Sequence, residues 1–290
     1  MKQSRGEKLF NVANIIVLGA VALICLYPFL YTLSLSLSSA REASRDGLHL
    51  YPAELSLTSY RVVLTNPNIV TGYINTITRT ILGTTLTVLA TCIAAYPLSR
   101  REMPHRSLIT FLIVFTMLFG GGMVPSYLLM KNLGLINTIW VLVVPGMLSA
   151  FNIIIVKNYF QSLPESLTES ARIDGAGEWR ILFQIYLPLS KPVLATVALW
   201  SAVGHWNAWF DALLYITDDR KQVLQTFLQR IVVESSTQMM ELGITDAHMQ
   251  FTSETIKAAT IIVTILPIIC VYPFIQKHFV KGIMLGGVKE

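Results

Sequence analysis

The stretch ESARIDGAGEWRILFQIYLP, residues 169–188, lies between two long apolar runs, and the rest of the chain is organised around it. A charged side chain at the centre of a membrane-spanning helix costs about 2.5 to 3.5 kcal/mol. We therefore expect this segment to lie outside the lipid, against the membrane surface. Glu165 lies four positions before the stretch, and the charged residues within it are Glu169, Arg172, Asp174, Glu178 and Arg180.

Local signals predict a helix, a turn and a second helix here. Ser162-Leu163-Pro164-Glu165 has the spacing of a capping box with Pro in the first turn, so a short helix should begin there. Gly175 should end that helix, and Asp174 can cap the next one, which is amphipathic and runs to Pro188. The turn consists of small residues that would let another protein approach the backbone: Ser170, Ala171, Gly175, Ala176 and Gly177.

The stretch resembles the EAA motif of bacterial ABC importer permeases: Glu-Ala-Ala, three residues, Gly, nine residues, Ile, one residue, Leu-Pro. Ser170 replaces the first Ala of the motif, a small residue for a small one. The resemblance implies a type I ABC importer permease fold, an all-α membrane protein with six transmembrane helices and a cytoplasmic EAA coupling-helix loop. The matching places are held by Glu169, Ala171, Gly175, Ile185, Leu187 and Pro188.

Shorter stretches narrow the resemblance to the carbohydrate branch of these permeases. Asp174-Gly175-Ala176 and the tail LPLSKP at 187–192 are similar to the maltose-type, MalG-like subunits. Within that branch the chain most resembles the LplC-like permeases for oligosaccharides or polysaccharide fragments. Further similarities lie at 51–60, 75–76, 96–100 and 276–289.

Composition excludes an ordinary soluble domain. The 290 residues are 53% hydrophobic and 13% charged, with a mean hydropathy of +0.57, which is typical of a polytopic membrane protein. The net charge of +5 is spread over the ends of apolar runs and forms no stripe, which excludes nucleic acid as a partner. Cys25, Cys92 and Cys270 lack paired or metal-ligand spacing, and we interpret them as packing residues.

Hydropathy predicts six membrane-spanning segments within one domain, residues 1–290. Each has the roughly 20 residues that a helix needs to cross about 30 Å of hydrocarbon. The first follows a basic N-terminus, as in a signal peptide, but its apolar run is longer, so we interpret it as a retained span. The segments are 12–38, 74–98, 107–130, 138–159, 193–217 and 255–276, with the EAA loop at 160–192.

The distribution of Lys and Arg predicts the orientation. With the N-terminus inside, the inner segments hold thirteen of these residues and the longer outer segments hold seven. Cytoplasmic loops carry such an excess of positive charge. Both termini and the loop 160–192 should therefore lie in the cytoplasm, with the chain in the bacterial cytoplasmic membrane.

The third span is the least regular. Gly120-Gly121-Gly122 and Pro125 should weaken and kink a helix there. A membrane tolerates such a break only where the freed backbone groups find protein or water. The span either lines a translocation cavity or packs closely against a neighbouring helix through its small residues.

The outer segment 218–254 should hold one short amphipathic helix. Val223, Leu224 and Phe227 begin an apolar pattern of helical spacing after a possible cap at Asp218. This helix either packs on the outer ends of the bundle or contacts a binding protein that delivers substrate, and both interpretations can hold together.

Motifs for catalysis are missing from the sequence. It contains no phosphate loop, no His-Glu-x-x-His and no Cys-x-x-Cys, so we expect no enzymatic activity and no bound cofactor. The EAA resemblance implies that ATP and Mg are bound by a separate ATPase dimer, in whose cleft the coupling helix docks. The alternative is a merely solvated amphipathic loop. The residues assigned to ATPase coupling are Glu169, Ser170, Ala171, Asp174, Gly175, Ala176 and Gly177.

The fifth span places polar and aromatic side chains at membrane depth, where ionisable residues usually face a cavity or a partner. Aromatic rings beside hydrogen-bonding groups suit a carbohydrate path. Each residue also has a simpler explanation: a bundle histidine, an aspartate paired with a partner subunit, or Trp anchors at the interface. A proton relay is a further alternative. The predicted path residues are His205, Trp206, Asn207, Trp209, Asp211 and Tyr215.

Taken together, the sequence predicts one of two permease subunits of an ATP-driven importer for oligosaccharides or polysaccharide fragments. Its expected partners are a second permease with its own EAA loop, an ATPase dimer, an extracytoplasmic solute-binding protein, membrane lipid and the oligosaccharide. The rival hypothesis, a proton- or sodium-coupled secondary transporter, would need intramembrane ion sites and commonly an inverted repeat. A membrane-embedded enzyme would need a clustered acid/base or metal constellation.

Overall fold

The computed structural model describes residues 4–43, 45, 47, 50–233 and 252–287. Within these ranges every regular element is a helix, and the one β-type pairing is an isolated bridge between Ser38 and Leu55. The predicted all-α class is therefore confirmed.

The helices follow one another with short connections. The first six are α1 (Arg5–Ser36), α2 (Ala40–Ala43), α3 (Thr58–Thr65), α4 (Pro67–Ser99), α5 (Arg106–Leu118) and α6 (Met123–Asn132). After a 3-10 helix at Ile139–Leu142 come α7 (Ala150–Gln161), α8 (Glu165–Ile173), α9 (Glu178–Ile181), a π-helix at Leu182–Tyr186 and α10 (Leu187–Leu189). The remainder are α11 (Lys191–Asn207), α12 (Phe210–Tyr215), a 3-10 helix at Asp219–Lys221, α13 (Leu224–Val233) and α14 (Ser253–Gly287).

Three stretches of helix are long and apolar enough to cross a membrane: Gly6–Ser36, Pro67–Ser99 and Ser253–Cys270. They correspond to the first, second and sixth predicted spans. The first has 31 residues, which at 1.5 Å per residue extend about 46 Å.

Two further candidate spans are bent helix pairs. The chain bends by 113° between α5 and α6, and by 83° between the stretch Glu178–Leu189 and α11. The first bend lies at Gly120-Gly121-Gly122, where the sequence predicted a break, and Gly122 has φ +86. Counting each pair as one span gives up to five among the described residues.

The predicted fourth span, 138–159, is not one continuous helix. The structure has the 3-10 helix Ile139–Leu142 and then α7, whose 12 residues extend about 18 Å. Pro145 and Gly146 lie between them. Proline lacks an amide donor and clashes with the preceding turn, so the helix stops despite the apolar composition.

The helices form two compact units, Met1–Val70 with Leu228–Pro267, and Thr71–Phe227 with Ile268–Glu290. In the first unit, buried Glu42 accepts hydrogen bonds from the amides of Ala53 (2.5 Å) and Glu54 (2.7 Å). This carboxylate connects α2 with residues 53 and 54, which precede α3. One domain over residues 1–290 stays a prediction.

The second unit contains the EAA loop and the fifth span. Its main core joins α4, α7, α8, the π-helix and α11. Cys92 is buried in that core, as a packing residue would be, whereas Cys25 and Cys270 are exposed on the surface of this chain. The core therefore fixes the loop 160–192 against the end of α4. Its buried members are Cys92, Ala95, Tyr96, Leu98, Ile153, Val156, Phe160, Ala171, Ile181, Leu182, Tyr186 and Val197.

Helix α13 occupies part of the segment in which an amphipathic helix was predicted. Val223, just before it, and its residues Leu224, Phe227 and Ile231 are buried, so that helix is confirmed. Residues 234–251 of the predicted segment lie outside the described residues.

Candidate functional site

Helix α8 begins at Glu165 as predicted, but its start lacks the expected capping box. Pro164 is the N-cap residue, and no side chain caps the helix. The hydroxyl of Ser162 instead donates to the carbonyl of Tyr159, at 2.7 Å, and so belongs to the end of α7. The helix start is right and the capping interaction is wrong.

The turn after α8 is a Schellman motif built on Gly175. The Gly175 amide donates to the Arg172 carbonyl (3.0 Å), and the Ala176 amide donates to the Ala171 carbonyl (2.9 Å). Gly175 has φ +77, and an added Cβ would meet nothing within 4 Å. Glycine is therefore needed for its backbone conformation, and the space above it stays open. The predicted cap at Asp174 is not formed, because Gly177 is the N-cap residue of α9.

The seven predicted coupling residues do not share one environment. Ala171 is 8% exposed and packs in the core, and Ala176 is half-buried against it. Ala171 therefore anchors α8 in the core and is not accessible to a partner. The residues exposed on the surface of the loop are Glu169, Ser170, Asp174, Gly175 and Gly177.

Two large apolar side chains beside this turn are also exposed. Ile173 is 86% exposed and Trp179 is 64% exposed, with Phe183 stacked on the Trp179 ring at 6.1 Å. Trp179 lies in the second helix, which was predicted to be amphipathic, whereas Ile173 had no predicted role. The signal for Ile173 was its place next to the small-residue turn.

The side chain of Arg100, which is 14% exposed, links the end of α4 to the loop. Its guanidinium carbon lies 4.6 Å from the ring centroid of Tyr96 and 4.7 Å from that of Tyr186. Nη1 donates to the hydroxyls of Thr168 (2.9 Å) and Tyr186 (3.0 Å), and Nη2 donates to the Tyr96 hydroxyl (2.6 Å). The Tyr96 hydroxyl in turn donates to the Glu178 carboxylate (2.6 Å). Sequence reasoning missed this cluster, because its members are far apart in the chain.

Arg172 forms an exposed ion pair nearby. It donates to both carboxylate oxygens of Glu102, at 3.1 to 3.2 Å, and to Glu178, at 3.0 Å. The hydrogen bonds from Arg172 lower the pKa of the Glu102 carboxyl, and those to Glu102 and Glu178 raise the pKa of Arg172. Water screens such exposed pairs, so they add little to stability.

The fifth span is broken at Ala208 and Trp209, between α11 and α12, and Arg79 of α4 fills the break. Its Nη1 donates to the Ala208 carbonyl (3.1 Å) and to Asp211 Oδ1 (3.2 Å), while Nη2 pairs with Asp211 Oδ2. The Arg79 side chain is 3% exposed and that of Asp211 is 31% exposed. Asp211 thus pairs with a residue of this chain, whereas one interpretation of the sequence was a pairing with another subunit.

The other predicted path residues divide into packed and accessible groups. Trp206 and Tyr215 are buried against Tyr73 and Tyr127 respectively. Asn207 is exposed and Trp209 is half-buried. A substrate path through these residues stays a prediction, and its accessible members are Asn207, Trp209 and Asp211.

His205 packs directly on the backbone of α4. A Cβ added at Gly83 would lie 2.3 Å from His205 Nε2, so the imidazole occupies the space that a side chain there would fill. Within the described residues there is no group of three or more His, Cys, Asp and Glu residues that could hold a metal ion.

Comparison with known proteins finds relatives that match this chain over nearly its whole length. Residues 88–285 match the model of the family described as binding-protein-dependent transport system inner membrane component. Protein LplC of Bacillus subtilis (strain 168) is 42% identical over 289 residues, covering 100% of this chain and 98% of LplC. The polygalacturonan/rhamnogalacturonan transport system permease protein YtcP of the same organism is 40% identical over 283 residues, covering 98% and 99%.

A solved structure agrees with these relatives. A chain in the crystal structure of a bacterial ABC transporter involved in the import of the acidic polysaccharide alginate has a TM-score of 0.89 and 35% identity. The match covers 96% of this chain and 99% of that one, and it confirms the type I permease fold. The chain therefore belongs to the binding-protein-dependent transport family of inner membrane components, the permease subunits of ABC importers.

Proposed function

We propose that this chain is one of two permeases that together form the path of an ABC importer for oligosaccharides or polysaccharide fragments. The relatives named above include permeases for polygalacturonan and rhamnogalacturonan and a transporter for alginate. The observation that carries the proposal is the exposed Schellman turn at Gly175, within a chain related to these permeases from end to end.

In this proposal the loop 160–192 docks on a separate ATPase dimer, which binds ATP and Mg. The five exposed coupling residues present backbone polar groups and two side-chain carboxylates to a partner. Ile173 and Trp179 add exposed apolar surface. An exposed isoleucine and tryptophan beside a rigid turn are suited to burial in a partner's cleft. Closure of the ATPase dimer would then move the loop and switch the permease pair between outward-open and inward-open states.

The sugar would pass the break in the fifth span. The Trp209 ring can stack on the C–H face of a sugar, and the Asn207 amide and the accessible part of Asp211 can bind hydroxyls. Asp211 is already paired with Arg79, so it is a poor candidate for the proton or sodium site that the rival secondary transporter would need.

The remaining assignments follow from the charge distribution and the family. The chain would lie in the bacterial cytoplasmic membrane with both termini in the cytoplasm, and a solute-binding protein would deliver the sugar from outside. A chain in a second solved structure, 15% identical with a TM-score of 0.56, shares the fold. That structure is of a bacterial alginate ABC transporter in complex with an alginate pentasaccharide-bound periplasmic protein.

Two measurements test the proposal. Purification of the tagged chain from its native membrane in mild detergent should also recover an ATPase and a second permease. Vesicles containing that complex and its binding protein should accumulate labelled oligogalacturonates, alginate oligosaccharides or maltodextrins. That uptake should survive an uncoupler and stop when the ATPase is disabled. Uptake that stops with the uncoupler and survives loss of the ATPase would contradict the proposal.

A further inference from the structure

The end of α4 contacts the EAA loop through three arginines that differ greatly in burial. The side chain of Arg101 is 82% exposed, that of Arg172 is 40% exposed and that of Arg100 is 14% exposed. Exposed ion pairs are screened by water and contribute little. The interactions of Arg100 are therefore the strongest polar link between α4 and the loop.

The space around Arg100 makes this link more important. Two clefts, of about 560 and 690 Å³, have Arg100, Glu102 and Arg172 in their walls. The Arg100 side chain thus lies between two open spaces, beside the apolar core that also joins the loop to α4. Apolar packing is not directional, so the polar contacts of Arg100 are the part of this contact that fixes the orientation of the loop on α4.

Arginine suits this position better than lysine. Its planar guanidinium stacks between two rings and directs separate N–H groups at the hydroxyls of Tyr96, Thr168 and Tyr186. These hydroxyls lie on α4, on α8 and in the π-helix that leads to the fifth span. One side chain therefore fixes three elements relative to one another.

The middle of α4 also binds the fifth span. Arg79 lies 20 residues before Ser99, the last residue of α4, or about 30 Å at 1.5 Å per residue, and Arg100 follows Ser99 directly. Arg79 holds the break at Ala208 and the carboxylate of Asp211. Helix α4 thus connects the loop directly to the place where the fifth span is interrupted.

We propose that Arg100 is the positioning residue through which movement of α8 reaches α4, and through α4 the break in the fifth span. The inference rests on the proposed coupling of this loop to an ATPase. The direct connection from the loop into α11 at Ser190 is then insufficient by itself. Without Arg100, the loop would still bind the ATPase, but its movement would no longer change the rest of the permease.

The test compares Arg100→Gln with the neighbouring Arg101→Gln in the complete complex reconstituted in lipid vesicles. Three quantities are measured: the ATPase recovered with the permease, basal ATP hydrolysis, and hydrolysis stimulated by the binding protein. Arg100→Gln should keep the first two within about twofold of wild type and lose stimulation by tenfold or more. Arg101→Gln should leave all three unchanged.

Stimulation by the binding protein within about twofold of wild type in Arg100→Gln would overturn the inference. So would a parallel loss of recovered ATPase, since Arg100 would then only shape the docking surface. If Arg100→Gln does not fold, Arg100→Lys keeps the charge but cannot reach three hydroxyls, and it should lower stimulation at least threefold. Normal stimulation in Arg100→Lys would overturn the inference as well. A wild-type complex that contains no ATPase would instead refute the proposed function.

Discussion

Two arginines of the α4 region, Arg79 near the middle of the helix and Arg100 directly after its last residue, are stabilised in different ways. Arg79 binds a carboxylate and a backbone carbonyl, and its side chain is 3% exposed. Arg100 binds aromatic rings and neutral hydroxyls, and the Glu178 carboxylate is 3.9 Å away. The first charge is neutralised by its partner, whereas the second is held mainly by dipoles and ring faces.

The difference follows from the surroundings. At membrane depth an unpaired charge is costly, so Arg79 requires Asp211. Beside the loop 160–192, whose charged residues are exposed, water reduces that cost, and a guanidinium can be held by weaker and more numerous contacts. We therefore expect changes at Arg79 to cause a large loss of stability, and changes at the loop end of α4 to have graded effects.

The largest effect should come from Arg79→Leu, which leaves Asp211 and the Ala208 carbonyl without their partner. Removing one member of a buried pair costs about 3 kcal/mol or more. The thermal midpoint in detergent should fall sharply. The double variant Arg79→Leu/Asp211→Leu should recover much of that loss, because no charge is then stranded. Equal midpoints for the single and double variants would show that the ion pair is unimportant.

The two tryptophans at the break should separate packing from function. Trp206→Ala removes a buried ring and should cost about 3 kcal/mol of stability. Trp209→Ala removes a half-buried ring and should fold normally, while the KM for oligosaccharide uptake rises severalfold. Thermal midpoints and uptake kinetics measure both effects. An unchanged KM in Trp209→Ala would remove Trp209 from the proposed path.

In the loop 160–192, Gly175→Ala should have an intermediate effect. The added Cβ meets open space, so the cost comes from the left-handed backbone alone and is roughly 1 to 2 kcal/mol. The end of α8 should fray and the amount of ATPase recovered with the chain should fall. Ser166→Ala, on the exposed side of α8, is the matched control and should show no loss. Full recovery of ATPase with Gly175→Ala would mean that the turn is not needed in this conformation.

The smallest effect should come from Glu102→Gln. The folded-state pKa of Glu102 is lowered by Arg172, so its stabilising effect is complete above the ordinary pKa of 4.5 and is lost as the pH falls through the lower folded value. The variant should therefore be slightly less stable than wild type at neutral pH and equal to it in strong acid. Added salt should also reduce the difference. Thermal midpoints across pH and salt measure this, and a difference that persists in acid would contradict it.

Local signals allowed several features to be predicted. The break at Gly120-Gly121-Gly122 and the turn at Gly175 follow from glycine alone, and the start of α8 follows from Pro164. The long apolar runs of α1 and α4 follow from hydropathy. In each case the deciding residues lie within a few positions of the feature they determine.

Features that depend on distant residues escaped prediction. The break at Ala208 and Trp209 contains neither glycine nor proline, and it is held by Arg79, 129 residues away from Ala208. The Arg100 cluster joins residues separated by 68 and 86 positions. Hydropathy also placed a continuous helix across 138–159, because it does not register the Pro145-Gly146 interruption.

The pairing of Arg79 with Asp211 also sets an order of events during synthesis. The two residues are 132 positions apart, and at roughly 5 to 20 residues per second the ribosome needs roughly 7 to 26 s to deliver the second after the first. During that interval the Arg79 guanidinium of the newly inserted α4 lacks its partner, because Asp211 has not yet been synthesised. The second unit can therefore close only after the fifth span has left the ribosome. A chain cut short before Asp211 retains an unpaired charge, by which an incomplete product differs from a finished one.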